Sequence, residues 1–412
     1  MPNALKCEIY KNSDSEWLGE IPASWPMVLL SQIVTQVKNK NSDLSEKNLL
    51  SLSYGRIKRK PIDTSGGLLP ASFDGYNIIE ANDIVLRLTD LQNDHTSLRV
   101  GLSPERGIIT SAYTTMRPKS TEGAKYLYYL LHTFDIRKGF YGMGSGVRQG
   151  LNYDEIKRLK LPLPTEAEQI AIADFLEAKI AHIDSVIAEA KASIEEYKAW
   201  KASIIYEAVT KGLDPSVEMK DSGIDIIGTM PDHWTTCRLK YLCDVMTGNQ
   251  DTQNADENGS YLFYVRSPIV QRANVFTYEG EGILMAGDGA GAGRVFHHAF
   301  GKYAIHQRVY CYHNFRNINT NYFLYYISEL FKKVMDKGSA QSTVPSVRLP
   351  MIQDFVFCIP PMEEQEQIVS HLDNKCGRID EVISEKEALI TDLEAYKKSL
   401  IFEVVTGKGK VV

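Results

Sequence analysis

The chain has 412 residues, of which 43% are hydrophobic and 24% charged, and its net charge is −6. That length is too great for one ordinary core and implies two to four domains of a soluble globular protein. No apolar run approaches the roughly 20 residues that span a bilayer, and the acidic total argues mildly against a nucleic-acid partner until the charge is located along the chain.

The N-terminal stretch MPNALKCEIYKNSD has no apolar core of a secretory signal. Cys7, Cys237, Cys243, Cys311, Cys358 and Cys376 show neither CxxC nor zinc spacing, so reduced thiols in a cytoplasmic protein are expected. A lead-in (1–25) precedes a first body (26–162) that carries the basic run SLSYGRIKRK, with Tyr54, Arg56, Lys58, Arg59 and Lys60. A glycine-rich basic loop, GFYGMGSGVRQG (139–150), contains Ser145, Arg148 and Gln149. A long polar tail (163–212) leads through a linker and second lead-in (213–234) to a second body (235–358). This body offers Arg266, Gln271 and Arg272 in FYVRSPIVQRANV, Arg294 in GDGAGAGRVFHH, His306, Gln307 and Arg308 in HQRVY, and Ser339, Gln341 and Ser342 in GSAQST. A second tail (359–412) closes the chain. Short runs such as DIVLRL and GILMAG alternate with turns and suggest mixed α/β bodies.

The tails repeat each other. LPTEAEQIAIADFLEAKIAHID at 163 answers IPPMEEQEQIVSHLDNKCGRID at 359, and 20 of 50 positions are identical at a fixed offset of 196. They include Pro164/Pro360, Glu168/Glu364, Gln169/Gln365, Ile183/Ile379, Asp184/Asp380, Lys201/Lys397, Glu207/Glu403 and Thr210/Thr406. SEWLGEIPASW (15–25) answers GIDIIGTMPDHW (223–234) at an offset of 209, while the bodies show no visible match. Two copies are too few for a solenoid, so a duplication with pseudo-two-fold symmetry is expected. The first tail runs on into the second lead-in, and the second tail would continue naturally into the N-terminus. The organisation is therefore circular, with the termini close together.

In the first tail Leu176, Ile180, Ile183, Ile187, Ala190, Ile194 and Tyr197 alternate at spacings of four and three. The second gives Leu372, Cys376, Ile379, Ile383, Ile390, Leu393, Leu400 and Val404, a heptad seam weakened at Lys386 and Lys397. Each tail is predicted to be one long helix starting after Pro164 or Pro360 and ending near Gly212 or Gly407. One such helix cannot bury its seam alone, and antiparallel pairing of the two inside the chain supplies the partner.

Partitioned, the charge is +5 over 20–160 and +1 over 228–357, but −7 over 161–227 and −4 over 358–412. The acidity belongs to the helices and the bodies are basic to neutral. That fits a protein touching DNA through its bodies and another protein through its helices, although acidic helices are also ordinary solvated faces. Arg and Gln pair bidentately with guanine and adenine edges, and Ser suits phosphates. The glycine run at 287–293 lacks the Lys-Ser/Thr of a phosphate loop, and His297-His298 reads as a strand or turn pair. There is no HExxH, nucleophile elbow or adenine-methyltransferase motif, so no catalytic constellation and no metal site is expected.

At this point KNSDSEWLGEIPASW, LPTEAEQIAIADFLEAKIAHID and KGLDPSVEMKDSGIDIIGTMPDHW together resemble the specificity subunit of type I restriction–modification enzymes. GMGSGVRQGLNYDEIKRLKLPLP resembles the junction between the first target-recognition domain and the first conserved helix. SAYTTMRP resembles an inner strand of such a domain and adds Ser111 and Tyr113 to the candidate contacts. The likeness covers essentially the whole chain. The second lead-in departs in reading IIGTMP, and GSAQSTVPSVR lacks the pattern of Ser145 to Gln149. The resemblance implies α/β (α+β) recognition domains plus long antiparallel coiled-coil helices. It implies a non-catalytic subunit without a cofactor of its own, each recognition domain reading half of a split double-stranded DNA site. The helices would fix the gap and dock two methyltransferase subunits that use S-adenosylmethionine, and motor-nuclease subunits using ATP and Mg²⁺ would join for restriction. The competing readings are a fused restriction or modification enzyme, an orphan subunit serving methylation only, and a coiled-coil scaffold without a DNA-reading role.

Overall fold

A computed structural model of the chain describes residues 9–62, 70, 72–91, 98–141, 143, 150–338, 345–409 and 411. By contact it divides into two units, residues 1–190 with 388–412, and residues 191–387. Each unit therefore takes one body, part of one long helix and part of the other.

In the first unit four short strands, β1 (Val34–Gln36), β2 (Ile84–Leu86), β3 (Val100–Leu102) and β4 (Thr114–Pro118), form an antiparallel sheet in the order β1-β4-β2-β3. Helix α1 (Ala124–Ile136) follows, and its Tyr126, Leu127, Leu130, Leu131 and Phe134 are buried. Their spacing puts one apolar stripe on the core. The long helix α2 (Glu166–Lys211) opens on a capping box, with the Glu168 amide donating to the Thr165 hydroxyl and the Thr165 amide to the Glu168 carboxylate.

The second unit repeats this plan. Strands β5 (Asp244–Thr247), β6 (Gly282–Ala286), β7 (Phe296–Ala299) and β8 (Val309–His313) pair antiparallel in the order β5-β8-β6-β7, followed by α3 (Thr320–Gly338) and the long helix α4 (Met362–Val405). Bodies with no visible sequence match thus share one strand order. The sequence hides it because the central strands are buried on both faces, Ile84–Leu86 and Gly282–Ala286 throughout, so no alternation marks them. The matching lead-ins do form matching hairpins, with Tyr10–Asn12 against Glu20–Pro22 and Met219–Asp221 against Thr229–Pro231 in the same register.

The core of the first unit joins Trp25, Leu86, Tyr126, Leu130, Ile172 and Leu176 to Ile401, Val404 and Val405. That of the second joins Trp234, Ile283, Tyr322, Tyr326, Ile205 and Val209 to Ile368, Leu372 and Cys376. Within each unit the early turns of one long helix pack against the late turns of the other, which is an antiparallel course. Leu176, Ile183, Ile187, Ala190, Ile194, Leu372, Cys376 and Ile379 are buried. Ile180, Tyr197, Ile383, Ile390, Leu393 and Leu400 are half-buried. The expected weak points in the seam are partnered: Lys397 Nζ lies 2.6 Å from Asp184 in the first unit, and Lys386 sits over the Tyr197 ring in the second. Lys201 pairs with Asp380 at 2.6 Å in the second unit, so two repeated residues make the same ion pair in each unit.

The helix ends explain other repeated letters. The Gln169 side chain donates to the Pro164 carbonyl at 2.8 Å and Gln365 to Pro360 at 2.9 Å. Trp25 Nε1 donates to Glu168 and Trp234 Nε1 to Glu364. Gly407 adopts φ +74°, and an added Cβ would stand 2.4 Å from Pro22, so only glycine ends α4 here. In the first unit this helix end meets the N-terminal lead-in, as Tyr10 donating to the Gly407 carbonyl at 3.1 Å shows. In the second unit the end of α2 meets its own lead-in, with Gly212 against Trp234 and Pro231.

Candidate nucleic-acid interface

In each unit three chain segments meet at one end of the sheet. In the first they are the loop after β2, the turn before β4, and the segment after α1. The loop after β2 is held by Arg99, which is fully buried and donates to the carbonyls of Arg87, Thr89 and Asp90. Leu151, beyond the glycine-rich loop, donates its amide to Leu88 at 2.8 Å. The turn Thr110–Tyr113 is closed by the Tyr113 amide on the Thr110 carbonyl and by the Ala112 amide on the Thr110 hydroxyl. This leaves Ser111 exposed and Tyr113 half-buried.

The second unit builds the same junction from other residues. The Val347 amide bonds the Gly287 carbonyl at 2.8 Å, and the Gly289 amide the Pro345 carbonyl at 3.0 Å. The turn His306–Val309 replaces Thr110–Tyr113. Here the Arg308 amide donates to His306 Nδ1 at 3.0 Å. His306 is buried, and burial pushes its pKa down with the Arg266 charge adding to it, so the ring stays neutral and Nδ1 keeps its lone pair. Gln307 donates to Asp251 at 2.6 Å. Arg266, from the segment after strand Tyr261–Tyr264, lies 2.9 Å from Asp288, and Arg308 lies 3.8 Å from the other oxygen of the same carboxylate.

The other expected contacts are scattered. The hairpin Leu50–Ser53/Arg56–Arg59 exposes Tyr54, Arg56, Lys58 and Arg59, with Lys60 just beyond. Arg56 turns to Asp184 on α2 at 3.5 Å, and Arg59 is engaged by Glu105. Arg272 donates to the carbonyls of Gly259 and Ser260, while Gln271 is half-buried beside it. Arg294 pairs with Asp336. Ser145, Arg148, Gln149, Ser339, Gln341 and Ser342 lie outside the described residues. His297 and His298 stand on β7, bonded to the Ser267 carbonyl and to Glu281.

Sequence reasoning passed over the residues that join each body to its helices. Tyr126 Oη lies 3.0 Å from the Pro162 carbonyl and 3.1 Å from that of Val405. Tyr322 Oη lies 2.9 Å from the Cys358 and 3.0 Å from the Val209 carbonyl. Arg137 stacks over Phe402 at 3.6 Å and Lys333 over Tyr206 at 3.5 Å. All of these pairs keep the offset of 196, so the repeat extends upstream of the tails into α1 and α3 and could have been found there.

Among the described residues no group of three or more His, Cys, Asp or Glu is placed to hold a metal ion. Burial raises the thiols of Cys243 to about 12 and of Cys311 and Cys358 to about 11, which leaves them protonated and weakly nucleophilic. Among the described residues no helix is long and apolar enough to cross a membrane.

The sequence profile of the type I restriction modification DNA specificity domain matches residues 25–196 and again 231–391. The type I restriction enzyme EcoDI specificity subunit of Escherichia coli is 25% identical over 181 residues, which is 44% of this chain and 40% of that protein. The putative type I restriction enzyme MjaX specificity subunit of Methanocaldococcus jannaschii is 22% identical over 422 residues, covering 96% of each chain. A solved chain from the complex assembly of a type I R-M system superposes with TM-score 0.69 at 14% identity, over 94% of this chain and 99% of that one, which shows a shared fold.

Proposed function

Because the chain belongs to the type I restriction–modification DNA specificity family, we propose that it supplies the sequence specificity of such a complex, each unit reading one half of a split duplex site. The observation that carries this is the pair of matching junctions. The same three segments meet in both units, yet the turn of one presents Ser111 and Tyr113 and the turn of the other Gln307 and Arg308. One scaffold with two different sets of hydrogen-bonding side chains is what two different half-sites require.

The scaffold side is the repeated part. Tyr126 and Tyr322 tie each body to the end of one long helix, Gln169 and Gln365 bond the proline turn at the start of each long helix, and the Asp–Lys pairs join the two long helices to each other. The helices then set the gap between half-sites, and their acidic outer faces dock two methyltransferase subunits. S-adenosylmethionine, ATP and Mg²⁺ belong to those partners and to motor-nuclease subunits, and this subunit itself performs no catalytic step.

The test is selection of bound duplexes by the full chain from a random pool, followed by sequencing. Two short specified blocks separated by a fixed unspecified gap are expected, with affinity falling steeply with salt as phosphate contacts are screened. A chain that retains no duplex even at low salt would be a scaffold, and the proposal would fall.

A further inference from the structure

In the second unit Arg238, Arg294 and Arg316 each pair with one acidic residue, and Arg272 donates to carbonyls. Arg266 and Arg308 differ because they share one carboxylate, Asp288. On the reading that this junction faces DNA, on which the inference rests, we propose that Asp288 is a specificity-determining positioning residue. It holds the two guanidinium groups as a fixed pair so that each presents a free two-donor edge to base edges.

The geometry supports the role at each step. Arg266 offers Nη1 to Asp288 Oδ1 at 2.9 Å, which leaves its Nε–Nη2 edge unused by this contact. Arg308 turns Nε toward Oδ2 at 3.8 Å, which leaves its Nη1–Nη2 edge unused by this contact. An arginine edge with two donors is the group that meets O6 and N7 of guanine. The arginine side chains are 45% and 65% exposed and the carboxylate is 23% exposed, so the cations reach outward from an anchored anion.

The anchor itself is fixed by backbone. The Gly287 amide bonds the Arg308 carbonyl, the Gly287 carbonyl accepts from Val347, and the Gly289 amide bonds Pro345. A Cβ on Gly287 would stand 2.9 Å from the Arg308 carbonyl oxygen, and Gly289 adopts φ +74°, so this glycine run lets the strand ends close around Asp288. Arg308 is fixed in turn through His306 Nδ1. A second consequence follows from charge. A carboxylate among cations repels phosphate, so an arginine pair held this way binds only weakly to a backbone placed at random. It binds fully only where a base edge satisfies both forks, which is discrimination by a repulsive element.

Full chains carrying Asp288→Asn, Asp288→Glu, Arg266→Ala or Arg308→Ala test this by selection from the random duplex pool, with random-duplex affinity measured against salt. Asp288→Asn is expected to leave one half of the selected sequence intact. In the other half it should lose roughly 5- to 100-fold discrimination at one or two base pairs. Binding to random duplex should tighten, with a salt slope steeper by about one for each additional phosphate that the freed arginines neutralise. Asp288→Glu keeps the charge but displaces both arms by a methylene. It should relax the same positions while leaving random-duplex affinity near that of the parent. Should Asp288→Asn lower the unfolding midpoint, the Glu variant carries the test, and parent-like discrimination in that variant overturns the proposal. If the arginine variants relax one half-site while Asp288→Asn does not, Asp288 has no positioning role and the DNA-facing reading stands. If neither arginine variant changes the selected sequence, both readings fail.

Discussion

His132 shows what one residue costs. It lies on α1 in the first unit, and burial, with the Lys397 charge second, depresses its pKa from 6.5 to about 4. The folded chain therefore keeps a neutral imidazole where the unfolded chain takes up a proton. Between those two values the unfolded state binds more protons, so stability falls as pH drops from about 6.5 toward 4, at up to about 1.4 kcal/mol per unit. Above pH 7 both states are neutral and the effect vanishes. A His132→Gln variant should lose less stability than the parent between pH 7.5 and pH 5, by roughly 1–2 kcal/mol, measured by chemical denaturation. Parallel pH profiles for the two proteins would remove His132 as the cause. Nothing in the sequence marks this histidine. Its burial comes from Tyr128, whose ring centroid lies 5.6 Å from that of the imidazole, and from the hairpin turn at Gly55, whose added Cβ would lie 3.5 Å from the imidazole.

At the scale of elements, legibility follows period and length. The long helices can be read because apolar residues recur at 3.5-residue spacing over many turns, and those residues are buried or half-buried. Lys397 reads as a defect because a sequence shows a charge without its partner; Asp184 supplies the partner from the other helix. The strands are harder. Ile84–Leu86 and Val100–Leu102 are three residues long, too short for alternation to register, and their order depends on pairings distant in sequence. Asp288 is invisible for another reason: it sits inside a glycine run whose motif points only to a phosphate loop, and the run lacks the residues that such a loop needs.

The helices also carry a prediction. Four residues inserted after Ala192 and four after Ala388, matching positions of the repeat, add about 6 Å and about 40° of turn to each helix. One added base pair of duplex brings about 3.4 Å and roughly 34° of twist. The rise fits up to two base pairs and the rotation fits one. Selected duplexes should therefore keep both half-sites and gain one to two base pairs between them, with the seam passing through a stutter rather than breaking. An unchanged gap in a folded, binding protein would mean that the helices do not set the spacing.

For the whole molecule, the duplication separates what is constant from what varies. Lead-ins, helix caps, tyrosine hydroxyl contacts and Asp–Lys pairs recur at fixed offsets. The loops between them share a backbone plan and little else. Each unit also has its own core, so one body can be exchanged without disturbing the packing of the other. The measurement that tests this most directly replaces residues 26–162 with the corresponding body of a relative and sequences the duplexes that the full chain then selects. One half of the recognised sequence should change to that of the donor, while the other half and the gap stay as they were. Both halves changing together in a folded protein, or neither changing, would contradict a chain in which each unit reads its own half-site.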